Sequence, residues 1–319
     1  MQVHRGYWSL PKAALHGVVA IGNFDGVHRG HRALIDAALA RARELHAPLC
    51  VMTFEPHPRE VLTPDKAPPR LTPFRIKARL LAEAGVEHLF ALAFNRHLLT
   101  KNPESFVHDV LAGGLGIRHA VIGYDFRFGH KRAGDAAKLV ALGADYGFSV
   151  TTLEPVAWRD APCSSSRVRE AVAAGDVGLA RDLLGYPFMV EGRVVEGERR
   201  GRELGYPTAN LRPPKRGALW PAPGIYALRT SWGRGRPEWQ DAVASLGVRP
   251  TFGGGELLLE VHLLDRAADL YGERLCCAFL ERLRGEEAFD TAEALVEQMG
   301  RDCARAREAL ASLPAGPYM

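Results

Sequence analysis

Up to about residue 185 the chain alternates short apolar runs with helical patterns, and that rhythm restricts its fold more than any other feature. "GVVAI" (17–21), "APLCVMTF" (47–54), "HLFALAF" (88–94), "HAVIGYDF" (119–126) and "FSVTTLEPV" (148–156) are the runs, with "HRALIDAALARARELH" and "FRIKARLLAEAG" among the helical patterns between them. Strands that are apolar almost throughout must be covered on both faces, and helical connections between them make the strands parallel. The first half is therefore predicted to be an α/β domain with a parallel sheet, in which ligands gather at the carboxyl ends of the strands.

After "LLGYPFMVEG" the texture changes. Short alternating runs follow, "VEGRVVEG", "GIYALRT", "DAVASLGV", "ELLLEVHLL" and "LCCAFLERL", punctuated by Gly and Pro. They predict a small β-barrel, and residues 289–312 predict one amphipathic helix packed on it. The domain boundary is placed between 184 and 185, giving domains 1–184 and 185–319. With 319 residues, 47% of them hydrophobic, the chain can build two cores. "SWGRGRPEW" reads as a solvated hairpin loop.

The opening "MQVHRGYWSLPKAALHG" has no apolar h-region, and nothing later approaches the roughly 18 apolar residues of a membrane helix, which predicts a cytoplasmic protein. Five cysteines, an odd number without a CxxC pair, argue against a disulfide framework or a zinc site and read as small buried hydrophobes. The net charge of +4 comes from scattered Lys and Arg. Such a balance suits nucleotide phosphates as well as nucleic acid.

"GNFDGVHRGH", Gly22–His31, directly follows the first apolar run and starts a helical pattern. A glycine-rich turn between strand and helix presents backbone N–H groups and the positive end of the helix dipole, so phosphate is its natural guest. Gly26 and Gly30 let the backbone turn and an anion approach, while His28 and His31 add two donors. Neither GxxxxGK[ST] nor GxGxxG is present. Two other readings are a helix cap at His31 with a surface His28, and a zinc pair, which lacks a third ligand motif.

These residues resemble the HxGH motif of the nucleotidylyltransferases in the form found in bacterial FAD synthetases. "TFEPHPREVL", "GYDFRFGHKRAGD" and "CSSSRVREAVAAGDV" follow in the order and spacing of the bifunctional riboflavin kinase/FAD synthetases, and the resemblance runs through the whole chain. It implies a Rossmann-like nucleotidylyltransferase domain in which Gly22, Phe24, Asp25, His28 and His31 hold ATP. "SSSRVR" places three hydroxyls and two arginines at a helix start, an anion nest for the departing pyrophosphate. Ser164, Ser165 and Arg167 are the candidates there. The chain has Cys163 and Ser166 where the family has an aliphatic residue and a threonine. Asp125 in "GYDFRFG", Asn in other members, is expected near ribose or metal. The resemblance also implies that Phe54, His57 and Pro58 face the flavin, whose flat ring system favours apolar and aromatic neighbours.

In the second half, "VEGRVVEGERRGRELGYPTANL" places Thr208 and Asn210 on one side of an extended segment, two hard oxygen ligands about 7 Å apart that suit Mg²⁺ carried by ATP. Gly197, Gly201 and Arg202 precede them in a loop able to close over phosphates. In "LLLEVHLLD", Leu259, Val261 and Leu263 share one face and Glu260 and His262 the other. Together these resemble the riboflavin kinase motif, which implies Mg-ATP binding by Thr208 and Asn210 and a catalytic base at Glu260, with Arg249 near flavin or phosphate. The expected enzyme phosphorylates riboflavin to FMN in the barrel and adenylylates FMN to FAD in the first domain. Its expected partners are riboflavin, FMN, ATP and Mg²⁺, without nucleic acid or membrane, as a monomer or weak homo-oligomer. A nucleotidylyltransferase with another phosphorylated acceptor has no use for the barrel motifs. An RNA-binding module calls for clustered arginines interleaved with aromatics, which the sequence lacks.

Overall fold

The computed structural model describes residues 1–197, 201, 204–212, 217–233, 238–249, 256–266 and 268–314, the side chains of Arg249 and Glu256 excepted. Its contacts divide the chain into two units. One comprises Met1–Pro69 and Pro73–Ser164, the other Arg70–Thr72 and Ser165–Met319.

The first unit is built on six parallel strands: β1 (Gln2–His4), β2 (Val18–Ile21), β3 (Leu49–Glu55), β4 (His88–Ala93), β5 (His119–Gly123) and β6 (Ser149–Leu153). Their order is β1-β4-β3-β2-β5-β6. The five predicted strands are present, and β1, three residues paired in parallel with β4, extends the sheet at its edge. Every residue of β2 is buried, as a strand covered on both faces requires. The longer helices are α1 (Arg29–Glu44), α2 (Phe74–Glu83) and α3 (Ala136–Tyr146). The chain leaves β2 toward β3 on one side and later returns to place β5 on the other, so β2 is where the winding reverses. At such a point the crevice above the carboxyl ends stays open.

The second unit begins with α4 (Ser165–Ala173) and α5 (Val177–Leu184). A two-residue hairpin precedes them in the first unit, β7 (Ala157–Trp158) with β8 (Ala161–Pro162). The barrel strands are β9 (Phe188–Val195), β10 (Ala209–Leu211), β11 (Gly224–Ser231), β12 (Gln240–Arg249), β13 (Glu256–Leu263) and β14 (Arg274–Arg284). They close in the order β10-β13-β12-β11-β14-β9. One face of each strand fills the interior with residues such as Tyr226, Ala244, Leu259 and Val261. On the other face Ala227 and Val243 join a second cluster with Cys303, Ala306 and Leu310 of α6 (Ala292–Ala311), the predicted terminal helix. Arg284 fastens that helix through a bidentate pair with the buried Asp302, Nη2 to Oδ2 at 2.7 Å. The adjacent Cys276 and Cys277 point to opposite sides of β14, and both are buried because both sides are covered. All five thiols are free and buried, and burial pushes Cys50 and Cys277 up to about 12.

Candidate active sites

The turn after β2 carries the first constellation. Phe24, Gly26 and Val27 have φ of 49°, 92° and 38°, a left-handed path that only the glycine adopts without strain. Backbone strain of this kind persists where surrounding structure fixes it. His28 is the N-cap of α1, its ring Nδ1 accepting the His31 N–H at 3.3 Å. An imidazole that accepts at Nδ1 carries its proton on Nε2, a tautomer inferred from this hydrogen bond, and donates from there. The His28 and His31 rings stack with centroids 3.7 Å apart, and Phe24 closes over His31 at 5.2 Å. Burial, then the neighbouring His28 and the Lys77 ammonium, hold His31 well below the ordinary imidazole range. His31 is therefore neutral near pH 7.

Gly30 differs from its expected role. It lies inside the first turn of α1, and its value is space: a Cβ there would sit 3.2 Å from the His28 ring. Gly22 similarly leaves room for the Phe24 ring, at 3.3 Å. Asp25 is buried.

The sheet order brings two further candidate segments beside this turn at the carboxyl ends of β3 and β5. Phe54, the penultimate residue of β3, is half-buried and edge-on to Phe94 at 5.8 Å. His57 caps the short helix Pro58–Leu62, its Nδ1 accepting the Arg59 N–H at 3.2 Å. Asp125 is exposed just beyond β5. Ser164 closes the first unit, while Ser165 and Arg167 open α4 in the second, all three half-buried.

Sequence reasoning missed Lys77. It lies on α2 among the buried Ile76, Leu80 and Leu81, fully buried itself, with Nζ 2.9 Å from the Asn23 carbonyl and 3.1 Å from Glu55 Oε1. A cation on the apolar stripe of a helical pattern was its only signal.

The second constellation is on the barrel. β10 and β13 are antiparallel with Asn210 directly opposite Glu260, and Glu260 in turn opposite Ser245 of β12. Residues opposed in this way project from the same face, with Cβ atoms about 5 Å apart. That face is the one turned away from the barrel interior. Glu260 is half-buried on it, and Asn210 is buried with its Oδ1 lacking any hydrogen-bond partner. A buried carbonyl oxygen left without a donor is costly unless a cation completes it. Asn210 and Thr208 offer the hard oxygens Mg²⁺ prefers, and Mg²⁺ needs few protein ligands when phosphates and water supply the rest. The residues thus fit the ion. Among the described residues no cluster of three or more His, Cys, Asp or Glu is suited to another kind of metal centre.

Gly197 is packed so closely on the Asn210 amide that any Cβ there would overlap it. A Cβ at Gly201 would overlap the Tyr206 carbonyl and approach Thr208 Oγ1 to 3.4 Å. His262 Nδ1 lies 2.9 Å from the Pro207 carbonyl, tying β13 to the segment that delivers Thr208. Arg202 and the Arg249 side chain lie outside the described residues.

A turn that presents helix-start donors at the reversal of a parallel sheet, joined in one chain to a barrel strand bearing a carboxylate and an amide oxygen, defines an enzyme handling nucleotide phosphates at two places. Comparison with known proteins gives the particular family. The FAD synthetase family model matches residues 10–167, and the riboflavin kinase model matches 184–310. A bifunctional riboflavin kinase/FMN adenylyltransferase from Escherichia coli (strain K12) is 41% identical over 97% of both chains. One of the same description from Pseudomonas fluorescens is 44% identical, covering 96% of this chain and 97% of its own. The crystal structure of a macrolide-efflux protein from Streptococcus pneumoniae superposes with a TM-score of 0.84 at 31% identity, covering 96% of this chain and 98% of that one. Among the described residues here, no helix is long and apolar enough to cross a membrane. This chain belongs to the bifunctional riboflavin kinase/FMN adenylyltransferase family.

Proposed function

We infer that the chain converts riboflavin to FMN and FMN to FAD, consuming one ATP at each step as a riboflavin kinase and an FMN adenylyltransferase. The observation that carries this is the tiling of one chain by two family models, each enclosing one of the two polar constellations. An adenylyl transfer to another acceptor leaves the barrel match unexplained, and an RNA-binding module leaves both unexplained. The kinase activity is assigned to residues 185–319 and the adenylyltransferase activity to 1–184, in a cytoplasmic monomer or weak homo-oligomer that requires neither nucleic acid nor membrane.

For phosphorylation, Glu260 takes the proton of the terminal ribityl hydroxyl as its oxygen attacks the γ-phosphorus, the bond to the β-phosphate oxygen breaks and ADP departs. The strand pairing around Glu260 supports this role, because a base held on a closed barrel keeps its position through the reaction. Thr208 and Asn210 would hold Mg²⁺, which when bound neutralises phosphate charge. Gly197 and Gly201, having no Cβ, let the loop pack directly on the Asn210 amide and the Tyr206 carbonyl, which supports the placing of these ligands.

For adenylylation, a phosphate oxygen of FMN attacks the α-phosphorus of ATP and pyrophosphate leaves. A phosphate monoester is already anionic near neutrality, with a second pKa of about 6, so no base is needed. Catalysis is then positioning and charge stabilisation. Gly22, Phe24 and Asp25 shape the turn, His28 donates from Nε2, and neutral His31 offers a hydrogen bond. Ser164, Ser165 and Arg167 receive the departing pyrophosphate, Asp125 meets the ribose, and Phe54, His57 and Pro58 line the flavin side.

The test is a time course with riboflavin, ATP and Mg²⁺, resolving flavins by chromatography. FMN should rise and then pass to FAD. Accumulation of FMN with no FAD, even from supplied FMN, contradicts the adenylyltransferase reading, and untouched riboflavin contradicts the kinase reading.

A further inference from the structure

Lys77 is a fully buried ammonium on α2, and burying such a charge is expensive unless it is paired and hydrogen-bonded. Its contacts are specific. Nζ donates to the Asn23 carbonyl at 2.9 Å and to Glu55 Oε1 at 3.1 Å. The buried Thr53 on β3 donates a second hydrogen bond to the same Asn23 carbonyl, Oγ1 to O at 3.0 Å.

Asn23 begins the turn that leads to His28 and His31, and the residue after it, Phe24, already has φ of 49°. A carbonyl gripped by two donors fixes the plane of its peptide, and a trans peptide then directs the following N–H the opposite way. Pinning Asn23 therefore sets the orientation from which the strained turn departs. Glu55 closes β3, immediately before the segment carrying His57 and Pro58. One ammonium thus joins the anion turn after β2 to the flavin-side segment after β3.

We propose that Lys77 is a positioning residue for adenylyl transfer, holding the Asn23 carbonyl and Glu55 so that the HxGH turn and the end of β3 keep a fixed spacing. The inference rests on the reading of that turn as the ATP site. Its consequence is kinetic: a turn loosened by an ångström still binds ATP but presents the α-phosphorus poorly to FMN.

The experiment uses the full chain with FMN and ATP supplied, comparing wild type, Lys77→Met/Glu55→Gln, Thr53→Val and His28→Ala. The double variant removes both members of the Lys77–Glu55 ion pair together, so neither is left buried without the other. Circular dichroism and limited proteolysis of the same preparation count chains whose first unit is folded, since kinase turnover reports only the barrel. The expected result is a kcat for FAD formation at least about tenfold lower in the double variant, with KM for ATP within about twofold, and a smaller fall in kcat for Thr53→Val. A merely structural Lys77 changes the melting temperature and leaves kcat per folded molecule at the wild-type value, and that outcome overturns the proposal. If His28→Ala also leaves FAD formation intact, the reading of the turn fails. If His28→Ala alone is impaired, only the role of Lys77 fails.

Discussion

The two sites solve related problems with different material. In the first unit the candidate groups sit on a strained turn and a helix start, with the Asn23 carbonyl of that turn held by Lys77 and Thr53. In the barrel they sit on paired strands, Asn210 opposite Glu260. The difference follows the nucleophile. On the proposed assignment the ribityl hydroxyl, which must lose a proton, meets a carboxylate on a rigid strand, whereas the FMN phosphate has no such need and meets backbone donors and imidazoles.

The sharpest way to break this contrast is Glu260→Gln. FMN formation should fall at least about 100-fold while FAD formation from FMN stays at the wild-type rate. Flavin chromatography with each substrate supplied separately reads both. His28→Ala should do the reverse, lowering FAD formation by about 100-fold, the scale of a lost transition-state donor, and sparing FMN formation.

Glycine substitutions sharpen the same comparison. Gly197→Ala forces the Asn210 amide aside, so FMN formation should fall about tenfold or more, on the scale at which an ångström of misplacement matters. Gly30→Ala asks the His28 ring to move only a few tenths of an ångström from a 3.2 Å approach, so FAD formation should fall only a few-fold, about 1 kcal/mol in barrier.

The smallest effect is on pH dependence. His31 titrates lower in the folded chain than the usual value near 6.5, so its contribution to stability is fully present above about pH 6.5 and is lost as pH falls below it. Burial shifts His4 and His119 in the same direction, so His31→Gln should only partly flatten the fall of melting temperature between about pH 6.5 and 5. A bound triphosphate should raise the His31 value and take up protons in mildly acid solution. Calorimetry in buffers of different ionisation enthalpy measures that uptake, which the barrel site should not show.

Most of the architecture was legible because local patterns fix local elements. Buried strands read as continuous apolar runs and barrel strands as alternation, and both readings survive in β2 to β5 and in β9 and β11 to β14, whereas β6 forms as predicted but lies at the sheet edge with three of its five residues exposed. What escaped is non-local. β1 is three residues, two of them exposed, and carries no burial pattern of its own. That Asn210 faces Glu260 depends on the register of strands 50 residues apart in sequence, which neither strand encodes alone. Lys77 falls on the apolar stripe of its helical pattern, but its partners, the Asn23 carbonyl and Glu55, lie on other elements, and no local pattern names them. Gly30 is legible as necessary, but its reason, the clearance of the His28 ring, appears only once the N-cap is formed.

The central claim is that one chain holds two separable sites, and complementation tests it most directly. Glu260→Gln and His28→Ala chains would be given riboflavin, ATP and Mg²⁺ singly and as an equal mixture, with FAD followed by chromatography. Glu260→Gln alone should leave riboflavin unconverted, His28→Ala alone should stop at FMN, and the mixture should make FAD. A mixture that stops at FMN, although each chain is folded and FMN is released, would contradict that claim.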